Sequence, residues 1–293
     1  MSAGAQEALA AAADPRRSLL RRLLVNPAVL FGGVLLALLV AAAVLAPLLW
    51  TVDPVELDPT ARLRRMSDTH WFGTDAFGRD VYSRVVYGAQ ISLVVGLSVA
   101  TLAVAIGLFI GLVSGYLRWL DAIVMRVMDG LMAIPGILLA IAMISLSGAS
   151  LTTVVIAIVI PEIPRVVRLV RSVVLTIREE PYVEAAIALG TPLPLILIRH
   201  VLPNTVAPLI VQGTYICASA ILTEAILSFL GAGIPPEIPT WGNIMAEGRV
   251  YFQLRPNIIF FPGIFLAVTV LAVNMLGDGL RDTLDPRLAK RMG

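Results

Sequence analysis

Few side chains in this sequence could do chemistry, and they are scattered. There are two histidines, His70 and His200, a single cysteine, Cys217, and a single lysine, Lys290. A zinc protease needs two histidines bracketing a glutamate on one helix turn, and a Ser–His protease needs its histidine within reach of a serine. His70 and His200 lie far apart and outside the long apolar runs, which excludes the first chemistry and argues against the second. Ala289 precedes Lys290, so there is no GxxxxGK[ST] loop to cradle phosphates, and any ATP this protein uses must be bound by another chain. One cysteine excludes an intrachain disulfide and any Cys-rich metal or redox centre. Lying in an apolar run, Cys217 reads as a small packing residue. The residues therefore lead to no catalytic set, no metal site and no cofactor held by this chain.

The acids that stand out do so by depth. Glu162 and Glu224 lie within apolar segments, where an ionisable group is costly and usually faces a protein interior or an aqueous path. Glu162 has Arg165 three residues on, the spacing of an ion pair on one helix face. Glu224 falls about 29 Å from the inner end of its segment at 1.5 Å per residue. At that depth it either lines an outer gate or snorkels to the interface. Both are candidate pathway residues. Arg126 and Asp129, at the same spacing, are expected to form a structural pair.

The elements that position these residues are membrane spans. The chain has 293 residues, 58% of them hydrophobic and 14% charged, against about 25% charged in ordinary globular domains. That much apolar surface requires lipid, and a soluble enzyme is ruled out. The net charge of +2 is too small a bias for a nucleic-acid binder. Residues 28–50 contain no charge and reach about 35 Å as a helix, longer than a signal-peptide core, so they read as an uncleaved anchor. Further apolar runs cover 91–117, 127–148, 150–168, 205–230 and 258–276. The fourth is the weakest, because Pro161, Glu162 and Pro164 interrupt its inner half. With six spans, Arg62, Arg64, Arg65, Arg79, Arg84, Arg249 and Arg255 fall on one side and the other fifteen basic residues on the opposite side. The positive-inside rule then puts both termini in the cytoplasm. The expected fold is an all-α polytopic membrane protein of six transmembrane helices. A cytoplasmic tail (1–27) is followed by the first span and an extracytoplasmic loop (51–90). A five-helix core (91–277) and a second cytoplasmic tail (278–293) complete the chain. Arg16–Leu24, with arginines opposing leucines, suits either an interfacial helix or a merely basic topogenic flank.

The inner loop 171–204 is the most informative stretch. Pro181 can open a helix that Val183–Leu189 continues with small alanines. Gly190 can take the left-handed conformation that ends it, and Thr191-Pro192 turns the chain. Leu193–Val201 reads as a second short helix, stopped by Pro203. The product is a helix–turn–helix knob too apolar for water, which calls for a partner's groove. In the outer loop, Gly73 and Gly78 allow tight turns and Asp80 can N-cap the following helix.

These residues resemble a known family. Glu184-Ala185-Ala186, Gly190 and Leu202-Pro203 match the EAA…G…LP signature of ABC importer permeases, with His200 at a position usually isoleucine. The string His70 to Arg84, HWFGTDAFGRDVYSR, resembles the HxxGTDxxGRDxxSR hallmark of the C-type permease subunit for dipeptides and oligopeptides. It contains Gly73, Thr74, Asp75, Gly78, Arg79 and Asp80. Asp129 with Pro135, Leu227–Gly233 with Trp241-Gly242-Asn243, and Gly277–Arg287 resemble the same branch. Pro161-Glu162-Ile163-Pro164 departs from it, standing where the family has an aromatic-rich start to the coupling segment.

The resemblance implies a MetI-like permease subunit of a binding-protein-dependent importer in the cell's inner membrane, noncatalytic itself. Its partners would be a sister permease forming a heterodimer, two cytoplasmic ATPase domains carrying ATP and Mg, an extracytoplasmic binding protein and a peptide substrate. Glu184, Ala185, Ala186, Gly190, Leu202 and Pro203 would dock into the ATPase. The outer string would be structural or would touch the binding protein. Nickel, glutathione and haem are the alternative cargoes among close relatives. Two other classes differ in their demands. An ion-coupled secondary transporter would need its own ion site and usually inverted repeats, and a membrane scaffold would leave the knob without a use.

Overall fold

A computed structural model describes residues 23–284. Most of the Arg16–Leu24 stretch, Arg287 and Lys290 lie outside the described residues. Within them the chain is helical, with no strand beyond an isolated bridge between Thr74 and Asp80. The helices are α1 (Pro27–Val44), α2 (Val81–Tyr116), α3 (Arg118–Ala133), α4 (Gly136–Ser147), α5 (Leu151–Arg178), α6 (Pro181–Ala188), α7 (Leu193–Ile196), α8 (Leu202–Phe229), α9 (Trp241–Gly248) and α10 (Asn257–Leu284).

Several helix starts are set by side-chain caps that accept otherwise unpaired backbone N–H groups. Asn26 accepts from Ala28 and Val29 ahead of α1, Asp80 from Ser83 ahead of α2, Ser150 from Thr153 ahead of α5 and Thr240 from Asn243 ahead of α9. Four stretches are long and apolar enough to cross a membrane: α1, α2, Leu193–Phe229 and α10. Helices α3 and α4, 16 and 12 residues long, make a fifth only as a pair, and they bend by 87° at the break around Ile134-Pro135. The apolar run 127–148 is thus not one straight helix. Pro135 lacks an N–H and restricts Ile134 to extended backbone, so the helix ends there and restarts in a new direction.

Two further proline expectations need correction. Helix α5 remains the weakest run and is not among the stretches apolar enough to cross a membrane, but it runs unbroken through Pro161 and Pro164, so they do not break its backbone. Its packing supplies the reason. Gly107, Gly111 and Gly115 on α2 face Val166, Val170 and Val174 on α5, so close that a Cβ on Gly107 would stand 2.5 Å from the Val166 Cβ. Small residues at this spacing let two helix backbones approach and make extensive van der Waals contact. Pro203, expected to stop a helix, instead lies in the first turn of α8, which joins α7 through a π-helical turn at Leu197–Val201. A wider turn re-routes the hydrogen bonds that a proline cannot make.

The core has two parts. One is shared by α2, α4, α5 and α8 and is rich in valine and alanine. The other surrounds Trp241 and joins the start of α2 to α8, α9 and α10. Helix α1 packs on α10, where Gly32 meets the backbone around Ala272 and Leu276 and Gly279 meets Val29.

Candidate functional site

Three places gather the polar or exposed residues of interest: the 179–204 hairpin, a cap built from the loop before α2, and a cleft beside α5.

The hairpin follows from its local sequence. Pro181 occupies the first turn of α6. Gly190 has φ 78°, its N–H donates to the Ile187 carbonyl at 2.9 Å, and the Thr191 N–H donates to Ala186 at 3.0 Å. This is a Schellman closure, in which a left-handed residue lets two amides satisfy the last turn's carbonyls. Glu184 and Ala185 are exposed, Ala186 and Leu202 half-buried, Gly190 and Pro203 exposed. Val183, Ile196 and Val201 anchor the hairpin inward, and the Tyr182 and His200 rings lie 5.8 Å apart across its arms. Leu189 is 86% exposed, and Ile187, Leu195 and Ile198 also lie open. An apolar face of this kind on a projecting element marks an interaction surface.

The cap is held by a buried ionic network. Asp75 Oδ1 accepts from the N–H groups of Phe77 and Arg79, and its Oδ2 accepts from Arg79 Nε at 2.6 Å and Arg84 Nη1 at 2.7 Å. Both arginines also reach Glu247 on α9, Arg84 at 3.0 Å. Arg84 is 1% exposed. Two guanidiniums and two carboxylates thus neutralise one another, with only Glu247 partly open to water, the condition for burying charge. Burial pushes the Glu247 carboxyl above its ordinary value, and Arg84 and Arg79 offset part of that rise. Asp80 does double duty: its Oδ2 accepts from the Ser83 N–H and hydroxyl at 2.8 Å each, and its Oδ1 lies 3.0 Å from His70 Nδ1. Thr74 donates its hydroxyl to the Ala61 carbonyl and accepts from the Arg64 N–H.

Gly73 at φ 77° and Gly78 at φ 81° need the left-handed region. A Cβ on Gly78 would overlap the Asp58 carbonyl. Trp241 Nε1 donates to Val85, Asn243 Nδ2 reaches the carbonyls of Ile234, Pro235 and Ile238, and Asn257 Nδ2 reaches Phe72. The hallmark residues are thus occupied in holding the cap to α2, α9 and α10. Sequence reasoning missed Glu247, Asn257 and Arg255, which donates to Leu63. The one available signal was Glu247's place on a short amphipathic helix just after Trp241-Gly242-Asn243.

The two deep acids do not share a site. Glu162 lines a cleft of about 310 Å3 between the α3–α4 bend, α5 and α8, together with Arg165, Ser219 and Thr223. Arg165 Nη1 donates to both Glu162 oxygens at 3.0 and 3.1 Å. Glu224 does not snorkel to an exposed interface. It is fully buried, accepts from the Ser228 hydroxyl at 2.8 Å, and faces Ser92 on α2 and Thr240 at the start of α9. Helix periodicity and the packing of α2 and α9 enclose it. Asp129 pairs with Arg168 on α5 at 2.5 Å rather than with Arg126, and Arg171 forks onto Asp121 at 2.5 and 2.7 Å. The bend after Ala133 lays α3 against α5, so the acids of α3 meet arginines of another helix.

Known proteins are similar to this chain in sequence over nearly its whole length. Residues 103–290 match the family described as binding-protein-dependent transport system inner membrane component. Residues 15–66 match the N-terminal TM domain of oligopeptide transport permease C. A probable peptide ABC transporter permease of Sinorhizobium fredii is 54% identical over 91% of this chain and 91% of its own length. The dipeptide transport system permease protein DppC of Alkalihalophilus pseudofirmus is 42% identical over 94% and 91%. The glutathione transport system permease protein GsiD of Pectobacterium atrosepticum is 40% identical over 94% and 92%. With its helical membrane fold, its EAA hairpin and its GTDxxGRD cap, the chain belongs to the family of binding-protein-dependent transport system inner membrane components, in the DppC/OppC-like branch of ABC transporter permeases.

Proposed function

We propose that this chain is the C-type permease half of an ATP-driven importer of di- and oligopeptides, a six-span protein of the inner membrane with both termini in the cytoplasm and no catalysis of its own. The observation that carries this reading is the hairpin. Its apolar tip is exposed while its base is fixed to the ends of α5 and α8, so a partner that grips the tip moves two long helices. ATP and Mg are held by two ATPase domains that take the hairpin into a cleft, with Glu184, Ala185, Ala186, Gly190, Leu202 and Pro203 forming or shaping the contact. Closure of the ATPases rocks this chain against a sister permease and exposes the interior alternately to the two sides. An extracytoplasmic binding protein delivers the peptide, and the cleft beside Glu162 lies on its route.

The relatives named for peptide and dipeptide transport support the cargo, and they align with more than nine-tenths of this chain. A second reading, the same machine carrying glutathione, is favoured by the likeness to the GsiD permease. Glutathione is itself a small peptide, so one cleft suits both.

The test is peptide uptake in cells lacking this gene, complemented with wild type or Gly190→Pro, alongside pull-down of ATPase chains. Proline cannot adopt φ 78° and has no N–H for Ile187. Uptake restored by wild type alone, with ATPase lost from the variant, supports the reading. Normal uptake with the variant removes the hairpin's role. A defect in glutathione uptake alone selects the second cargo.

A further inference from the structure

At the outer end of α1 the backbone is strained in a way that the transport reading does not use. Trp50 has φ 51° and is 83% exposed. A bulky residue in the left-handed region is a rare outlier, and such strain persists only where the surroundings enforce it. Here they do. The Leu49 carbonyl accepts from the Tyr82 hydroxyl at 3.1 Å, the Thr51 hydroxyl donates to Ala46 at 2.7 Å, and the Val52 N–H donates to Ser83 at 2.9 Å. The chain is pinned on both sides so that the indole stands out from the surface.

It stands over a cavity of about 280 Å3 lined by Trp50, Trp71, Tyr82, Asp68, Asp80 and Thr69, with Val52 behind them. The three rings form a corner: Trp50 and Trp71 lie 6.4 Å apart at 57°, and Trp71 and Tyr82 lie 4.8 Å apart at 53°. Aromatic faces and carboxylates together, with no basic side chain in the lining, attract an alkylammonium ion. The setting decides where that ion comes from. Val44, Leu45 and Leu48 lead up to Trp50 and are exposed apolar residues at the end of a peripheral helix. In the six-span topology proposed above, on which this inference rests, acyl chains cover them and the cavity opens just beyond, at the depth of lipid headgroups.

We propose that this aromatic corner is a binding site for the ammonium headgroup of a zwitterionic, ethanolamine-type membrane lipid. The rings take the ammonium, the exposed Asp68 at the rim supplies negative charge, and the acyl chains lie along Val44 and the Leu45–Leu48 turn that follows α1. Ordinary interfacial anchoring by tryptophan would not distinguish one headgroup from another. A caged ammonium would.

The full-length protein is purified, in the assembly it forms, from nanodiscs containing equal phosphatidylethanolamine and phosphatidylglycerol, and retained lipid is read by native mass spectrometry. Wild type is expected to retain phosphatidylethanolamine preferentially, and Trp50→Ala and Asp68→Asn each to lower that preference about fivefold. Asp68 is exposed, so Asp68→Asn leaves the fold intact and keeps the test meaningful if Trp50→Ala disturbs the turn. Equal retention of the two lipids by wild type overturns the proposal, as does a preference unchanged in Asp68→Asn. Displacement of the lipid by a free dipeptide but not by its N-acetyl form would reassign the corner to a peptide terminus and also overturn it.

Discussion

Replacing Glu247 by glutamine separates the cap's ionic network from its shape. The change removes one negative charge from beside two buried guanidiniums while keeping nearly the same volume. Breaking a buried pair by removing one partner typically costs about 3–5 kcal/mol, because the remaining charge is stranded. Two features of this site reduce that figure. Asp75 still contacts both arginines, at 2.6 and 2.7 Å. Burial also holds the Glu247 carboxyl above its ordinary value, so its ionised form already carries a desolvation cost that glutamine does not. The expected loss is about 2 kcal/mol. It should appear as roughly 30-fold faster amide exchange in the Asp75–Arg79 loop and in α9, with the hairpin unaffected. Asp75→Asn should cost more, about 3–4 kcal/mol, because Asp75 also accepts from the N–H groups of Phe77 and Arg79. If Glu247→Gln changes exchange in the cap by less than about twofold, or exceeds Asp75→Asn, the network is not what holds the cap to α9.

Other perturbations follow from single contacts. Gly107→Leu should separate α2 from α5 and lower stability by about 3 kcal/mol, read as a fall in melting temperature in detergent, whereas the same change at Gly130, whose Cβ direction is open, should not. Asn243→Ala leaves three carbonyls without their shared donor and should cost about 1–3 kcal/mol, with faster exchange confined to residues 234–243. Gly190→Ala meets no neighbour within 4 Å, so its cost is that of a left-handed alanine, about 1 kcal/mol. It should weaken uptake less than Gly190→Pro does, and equal losses would mean that the left-handed turn is not the feature the hairpin needs.

Where local sequence decides structure, the reading from residues succeeded. The uncharged runs within α1, α2, α8 and α10 could only be helices in lipid. The Asp80 cap and the Gly190 turn depend on two or three neighbouring residues each. It failed where distant parts of the chain compete with local preference. Pro161 and Pro164 are breakers by any local rule, yet α5 stays helical because Val166, Val170 and Val174 seat against three glycines more than fifty residues earlier in the chain. Asp129 finds Arg168 instead of Arg126 because the 87° bend beside Pro135 reorients α3. Glu247 meets Arg84 across 163 positions, a pairing that no local pattern announces. Glu224 looked like a pathway residue by depth alone, and only the packing of α2 and α9 shows that it is enclosed.

The glycine ladder between α2 and α5 has a further consequence. Helix α2 is 36 residues long, about 54 Å at 1.5 Å per residue, and it begins at the cap on one face of the protein. The ladder grips it near its far end, beside the helix that leads into the hairpin. Backbones interlocked this closely cannot slide, because a shift of one residue would drive a valine into the neighbouring main chain. The two faces of the protein therefore have no slack between them. A lesion that loosens the cap and one that misplaces the hairpin load the same rod from opposite ends, so a selection for second-site suppressors of either should recover changes at the other.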